Sequence, residues 1–404
     1  MFLSIWLLPF AFSPVAAALD LTDFAEFGGR RVERLPKARF GVSQWGSSFA
    51  GFTGVRLDDP LYRTQNGSSV SGNTTLPPVS STLWSAHLSY PIRRATFGVA
   101  MSGPFGEMRR FRASTPYDFV ALRDATTDTQ FKAALLGSVD LIESTLYLRG
   151  GAQFFISSSG SAEAVIIGNN PTARFTADVG LNSAALLGLS YESKADEGGF
   201  NFRQEMAPKI TQGFSGQIAI GNLQTFEQPI LFRSVLYFEP HQLEAYWRHD
   251  FGALAVRAGI TYEMWSRYQP AFLTAETKDT RGNPVVTQVP VLSLSNTLNP
   301  EVAVSSETLL PFSIGLAFRY APTPLRDLSG PTNFIDSDLH RIRLQAGTSL
   351  KGLGFPSVRA ELIGDYGWWS RKEVKKAQPN FVGAPGYTIQ GGRYRVETRL
   401  VVAL

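Results

Sequence analysis

From about residue 80 onward, apolar and polar residues alternate with a period of two, in stretches of about ten residues separated by turn residues. Residues 254–264 show the pattern clearly. Leu254, Val256, Ala258, Ile260, Tyr262 and Met264 make one face, and Ala255, Arg257, Gly259, Thr261 and Glu263 make the other. Side chains of a strand point alternately to its two faces, so this spacing predicts a strand with one apolar and one polar side. The alternation recurs at 82–90, 95–105, 129–141, 146–156, 174–181, 184–191 and 210–220. It continues at 230–238, 243–251, 254–265, 312–320, 341–350, 358–369 and 394–404. Strands of about 9–11 residues are long enough to cross a bilayer at a tilt.

The connections alternate too. Those at 90–95, 141–146, 182–183 and 350–356 are tight, whereas 106–128, 157–173, 268–300, 321–339 and 370–392 are long and polar. Short turns on one side and long loops on the other are expected of an outer-membrane barrel. Aromatic residues collect near strand ends (Trp84, Tyr90, Tyr237, Phe238, Trp265, Tyr268, Trp368, Trp369), as interfacial girdles require. In the last stretch, Tyr394, Val396, Thr398, Leu400, Val402 and Leu404 oppose Arg395, Glu397 and Arg399. Lipid would reject that charged stripe and a lumen would accept it. The pattern therefore predicts an all-β fold, a transmembrane antiparallel β-barrel of 14 strands. Residues 39–45 and 301–305 would raise the count to 16 if they are strands.

Composition supports this reading. The chain is 44% hydrophobic, yet beyond residue 18 it has no apolar run of the roughly 18 residues that a membrane helix needs. A multi-helix transporter is thereby excluded. With no cysteine in 404 residues, disulfide scaffolds, thiolate metal sites and thiol catalysis are excluded as well. Four histidines (His87, His241, His249, His340) argue against a His-rich metal site, and no cofactor is expected. Residues 1–18 read as a signal peptide: an apolar core from Phe2 to Phe12, a Ser13-Pro14 break, then small residues for cleavage. Residues 79–404 are assigned to the barrel. Residues 19–78 form either a hatch-like plug or a first strand followed by an outer loop.

The stretch 312–350, FSIGLAFRYAPTP…TNFIDSDLHRIRLQAGTSL, resembles the FadL-type long-chain fatty acid and hydrocarbon transporters of the Gram-negative outer membrane. It is similar to that family's rising strand, Pro-rich outer loop and Asp-x-Asp-(Arg/His) lead into the next strand. Residues 82–106 resemble an early hairpin of the family, and Tyr262–Ser266 resembles its Tyr-x-x-Trp-Ser strand end. Gly46, Gly51, Gly54 and Asp58-Asp59-Pro60-Leu61-Tyr62 fit the family's N-terminal hatch; its Asn-Pro-Ala tripeptide is absent, with Asn66-Gly67 near that place.

The resemblance implies passive uptake of a hydrophobic small molecule, with Asp58, Asp59, Pro60 and Tyr62 in the hatch. It also implies lateral release at a kinked early strand, for which Gly103-Pro104 stands in the matching position, although the strand could simply end there. A loop that interleaves Arg109, Arg110 and Arg112 with Phe105, Phe111, Tyr117 and Phe119 would suit a carboxylate head beside apolar surface; its alternative role is contact with lipid A phosphates outside. Arg371, Lys372, Lys375 and Lys376 are read as lipopolysaccharide contacts, which account for the net charge of +4 without nucleic acid. A monomer is expected.

Enzyme signals are weak. There is no Gly-x-Ser-x-Gly elbow, and His87 with Ser89 lacks a matching third residue. The acid pairs Asp58/Asp59, Asp336/Asp338 and Glu361/Asp365 are read as loop acids or lumen charges balanced by neighbouring Arg. The competing function is a diffusion porin for hydrophilic solutes, which lumen-facing Arg257, Glu263, Arg343, Arg359, Glu361, Arg395 and Glu397 would suit.

Overall fold

A strand placed in hydrocarbon must pair every backbone N–H and C=O with a neighbour, so a membrane sheet has to find partners on both edges. The computed structural model shows how this chain finds them. It describes residues 39–45, 48–50, 55–57, 72–74, 79–81, 83–104, 120–121, 132–143, 145–167, 170–206, 209–220, 224–235, 239–267, 274–278, 284–288, 293–306, 312–326, 334–349, 358–375 and 387–403. No described helix is long and apolar enough to cross a membrane.

Fourteen strands follow one another as antiparallel neighbours: β1 (Arg39–Trp45), β2 (Leu83–Ile92), β3 (Ala95–Pro104), β4 (Lys132–Ile142), β5 (Leu146–Ile167), β6 (Asn170–Glu192) and β7 (Asp196–Arg203). The series goes on with β8 (Gln242–Asp250), β9 (Ala255–Glu263), β10 (Thr297–Ser306), β11 (Phe312–Ala321), β12 (Leu339–Ser349), β13 (Val358–Val374) and β14 (Tyr387–Ala403). β1 also pairs with β14, from Arg39↔Ala403 to Trp45↔Glu397, so the order of neighbours is circular. Two prolines of the ring are in register with one neighbouring strand only, Pro300 with Ile260 and Pro91 with Thr96. Pro300 precedes the first β10–β11 pair, Glu301↔Arg319, and Pro91 lies past the last β1–β2 pair, Arg39↔Ser89.

One end of this wall carries short turns. Arg93-Arg94 joins β2 to β3, with Arg93 at φ 53°, and Arg94 reaches Glu143 of the next turn at 3.4 Å. The other end carries the long excursions. There β5 and β6 run on together as far as Ile167↔Asn170. The hairpin Lys209–Ile220/Gln224–Val235 lies beside the extension, parallel to β5 from Ser158↔Ile210, and reaches Thr274–Lys278 on its other edge. A two-residue parallel ladder joins Val120–Ala121 of the β3–β4 loop to Phe334–Ile335 of the β11–β12 loop, from opposite parts of the ring.

Several expected elements are corrected. Residues 174–181 and 184–191 are not two strands joined at 182–183; they are halves of β6, with Asn182↔Phe155 and Ser183↔Phe154 in mid-ladder. Likewise 157–173 is mostly paired strand rather than loop, because its Ser and Gly residues extend a ladder past the apolar band. Residues 210–220 and 230–238 alternate as barrel strands do, yet their hairpin belongs to the outer extension. The ring instead takes in β7, β10 and β1.

Side-chain direction follows the register. Phe97, Val99, Leu135, Val139, Leu187, Leu189, Phe200, Trp247, Ile260, Leu298, Val302, Leu316, Leu344 and Leu362 are all large, apolar and exposed on the outer face. Water would not sustain so wide an apolar belt, whereas hydrocarbon would. The aromatic residues divide. Tyr90 is exposed near the short-turn end, and Trp368 stacks on His340 at 5.1 Å near the long-loop end. Trp265 and Trp369 are buried instead, against the girdle role expected of them; Trp265 donates to Glu263 at 2.8 Å. Tyr237, Phe238 and Tyr268 lie outside the described residues.

Candidate functional site: the lumen face

Alternation that turns apolar side chains outward turns their neighbours inward, and from β7 to β13 those neighbours are charged and amide residues. They meet across strands. Glu244 on β8 accepts from Asn201 on β7 (Nδ2, 2.9 Å) and from Arg257 on β9 (Nη2, 2.9 Å). The other guanidinium nitrogen of Arg257 reaches Glu301 on β10 at 3.0 Å. One arginine thus sits between two carboxylates and ties four strands together. Such charge-assisted bonds are strong, the more so at Glu244, which is buried.

Glycine shapes the next layer. The Tyr246 ring lies over Gly199, where an added Cβ would fall 2.6 Å from the ring. Arg257 stacks on that ring at 4.9 Å, and Arg149 on β5 donates to the Tyr246 hydroxyl at 3.4 Å. Above it Glu263 accepts from Trp265, from Gln242 at 3.3 Å and from Thr297 at 3.4 Å, with Arg319 at 3.6 Å. On β12 and β13, Arg343 pairs with Asp365 at 2.9 Å and Gln345 donates to Glu361 at 3.3 Å. Arg395 and Glu397 of β14 stand in register with Asp365 and Ile363. Among the described residues, the buried amides of Gln153 and Asn299 have no hydrogen-bond partner, so each keeps donor and acceptor capacity.

A second patch on the lumen face is apolar. Ala100 of β3, Ala134 and Leu136 of β4 and Leu186 of β6 cluster together. Gly151 of β5 makes room for it, since a Cβ there would collide with the Leu135 carbonyl oxygen. Nearby, β3 keeps its ladder with β2 as far as Trp84↔Gly103 and Leu83↔Pro104, while its described ladder with β4 ends at Ser102↔Lys132. Gly103 and Pro104 are therefore paired on one edge only among the described residues.

The remaining candidates separate as follows. Arg257, Glu263, Arg343 and Glu361 stand in the polar layer, as expected. Arg359 is at a strand position whose side chain is not described. Phe105, Arg109, Arg110, Phe111, Arg112, Tyr117 and Phe119 lie outside the described residues, as do Asp58, Asp59, Pro60 and Tyr62. Asp336 and Asp338 prove to be loop acids that fasten the β11–β12 connection: Thr323 Oγ1 donates to Asp336 at 2.7 Å, and Tyr320 Oη donates to Asp338 at 3.0 Å. The alternation had not singled out Glu244, Glu301, Asn201 or Tyr246. Glu244 and Tyr246 occupy the polar side of a strand that had been recognised. Among the described residues, no group of three His, Asp or Glu side chains could hold a metal ion.

An apolar exterior over a polar, charge-paired interior defines a transmembrane β-barrel. No protein-family model matches the chain, and no curated protein does. Solved structures do. A Pseudomonas aeruginosa FadL homologue is similar over 91% of this chain and 90% of that one, with a TM-score of 0.58 at 13% identity. The P. putida toluene transporter TodX gives a TM-score of 0.52 at 10% identity, over 92% and 91%. The TodX deltaS2S3 mutant monoaromatic hydrocarbon channel gives 0.56 at 10% identity, over 96% and 95%. The chain has the barrel fold of FadL-type outer-membrane proteins.

Proposed function

We propose that this protein is an outer-membrane channel for passive uptake of hydrophobic small molecules, long-chain fatty acids or hydrocarbons, which binds cargo in the lumen and releases it sideways. The polar layer on the lumen face carries this reading. An apolar solute moving straight down past Arg257, Glu244 and Glu301 would displace water from charged groups and offer them nothing in return, which costs free energy. Leaving through the wall avoids that cost. The apolar patch of Ala100, Ala134, Leu136 and Leu186 begins on β3, the strand that carries Gly103-Pro104 at its end, and a Gly-Pro pair there favours a break in the ladder. The shared fold with structures described as hydrocarbon channels and toluene transporters agrees with such cargo.

Burying about fifteen methylenes at about 0.8 kcal/mol each gives roughly 12 kcal/mol before ordering losses, so cargo must be held by something that can let go. We assign 39–45 to the wall as its first strand, on the strength of its two ladders. The loop 105–119 is proposed to receive a polar head, and the protein is taken to act as a monomer without enzymatic activity. Gly103→Ala with Pro104→Ala, by removing the residues that favour a kink, should slow uptake of a radiolabelled long-chain acid while barrel level stays normal. Unchanged uptake in that variant refutes lateral release. The second reading, a porin for hydrophilic solutes, draws on the charged lumen and on the unpartnered amides of Gln153 and Asn299. It requires ion conductance through the purified barrel.

A further inference from the structure

At the long-loop end of β9 and β10 the outer face holds a groove of about 570 Å³. Its floor is apolar: Tyr262 and Leu298, paired in register, both face outward. Its upper rim is polar and comes from two loops, with Ser266 and Asn296 on one and Thr323 and Arg326 on the other. The loops are fastened together before any ligand arrives. Ser295 N–H donates to the Pro324 carbonyl at 2.8 Å, Arg326 N–H donates to the Ser293 carbonyl at 3.1 Å, and Leu294 bridges Leu325.

The hydrogen-bond bookkeeping at the rim leaves donors. Asn296 Oδ1 accepts the Ser266 backbone N–H at 2.9 Å, and its Nδ2 donates to the Tyr262 hydroxyl oxygen at 2.6 Å. The Tyr262 O–H proton therefore remains available to the groove, beside the Ser266 hydroxyl. Thr323 turns its hydroxyl away to Asp336. Arg326 is exposed, and no carboxylate is among the described residues that line the groove. Hydroxyl donors and a guanidinium above an apolar floor, at the height where hydrocarbon gives way to water, match a phosphate on an acylated headgroup.

We propose that this groove binds lipid A, with its phosphate on Arg326, Tyr262 and Ser266 and an acyl chain along Leu298 and the outward face of β9–β11. The inference rests on the outer-membrane reading above, because only there does lipid A face the long-loop end of the barrel. It names a specific seat for a partner that a basic surface alone leaves undefined.

Detergent-purified full-length protein, titrated and followed by native mass spectrometry, tests it. The probes are bisphosphorylated lipid A, monophosphoryl lipid A, phosphatidylglycerol and inorganic phosphate. The expected result is a one-to-one lipid A adduct, weakened about tenfold or more by Arg326→Gln and by a smaller factor by Tyr262→Phe. Phosphatidylglycerol and inorganic phosphate should bind at least about tenfold more weakly than lipid A. Equal binding by Arg326→Gln and Tyr262→Phe overturns the site, and so does equal binding of phosphatidylglycerol or inorganic phosphate. Heat-modifiable gel mobility separates the two levels. If the wild type lacks it, the barrel reading falls, whereas a mobile barrel without lipid A selectivity overturns this inference alone.

Discussion

Removing the Glu244 carboxylate strikes the centre of the lumen layer, and its cost can be worked out from the geometry. Glu244 accepts two bonds at 2.9 Å, from Asn201 and from Arg257, and its side chain is 6% exposed against 19% for Arg257. A hydrogen bond to a charged group is worth about 1.5–3 kcal/mol, and breaking a buried pair about 3–5 kcal/mol. Arg257 keeps Glu301 at 3.0 Å and the Tyr246 ring, which recovers part of the loss. Glu244→Ala should therefore lower barrel stability by about 2–4 kcal/mol, and Glu244→Gln by about half of that. The assay is urea unfolding in phospholipid vesicles, read by tryptophan fluorescence. A double-mutant cycle with Arg257→Met should return a coupling of about 1–3 kcal/mol. Both single variants within about 0.5 kcal/mol of wild type, or a coupling near zero, would refute the claim that this layer is cross-linked.

Three further substitutions test the same geometry. Gly199→Ala places a methyl where the Tyr246 ring now lies, 2.6 Å away, so the ring must lift off Arg257 at about 1–3 kcal/mol, measurable in the same unfolding assay. Leu316→Arg puts a charge on the lipid face near the middle of β11 and should cost about 2–4 kcal/mol; a change under about 0.5 kcal/mol would contradict its outward direction. Trp265→Phe deletes a buried donor to Glu263 and should cost about 1–3 kcal/mol, with little change in the outer girdle.

The wall was legible where lipid dictates it. Ile260, Leu316 and Leu362 alternate with polar neighbours because one face of each strand meets hydrocarbon, and that period survives in the residue order. It failed where the membrane stops dictating. β7, Asp196–Arg203, contains Gly198 and Gly199 and offers only Phe200 and Phe202 to the lipid, so its pattern is too thin to see. β10 was legible only as the short stretch 301–305, because Asn299 and Pro300 interrupt the alternation, although both are in ladder register with β9. Conversely, 209–235 alternates but pairs above the ring, since period two reports a strand and not its neighbour. At the site, lumen residues such as Arg257 and Glu263 could be read from the polar face of a strand. Their partners could not: Arg149 meets Tyr246 across two intervening strands, a proximity made by curvature and by the bare backbone of Gly199.

Mass spectrometry of apolar material extracted from the detergent-purified barrel tests the proposed function most directly. The account predicts a long-chain acid or hydrocarbon in stoichiometric amount, absent from a barrel purified after lipid-stripping exchange and restored by adding the same compound. Detergent alone in the extract, together with ion conductance and flux of small hydrophilic solutes through reconstituted protein, would contradict it.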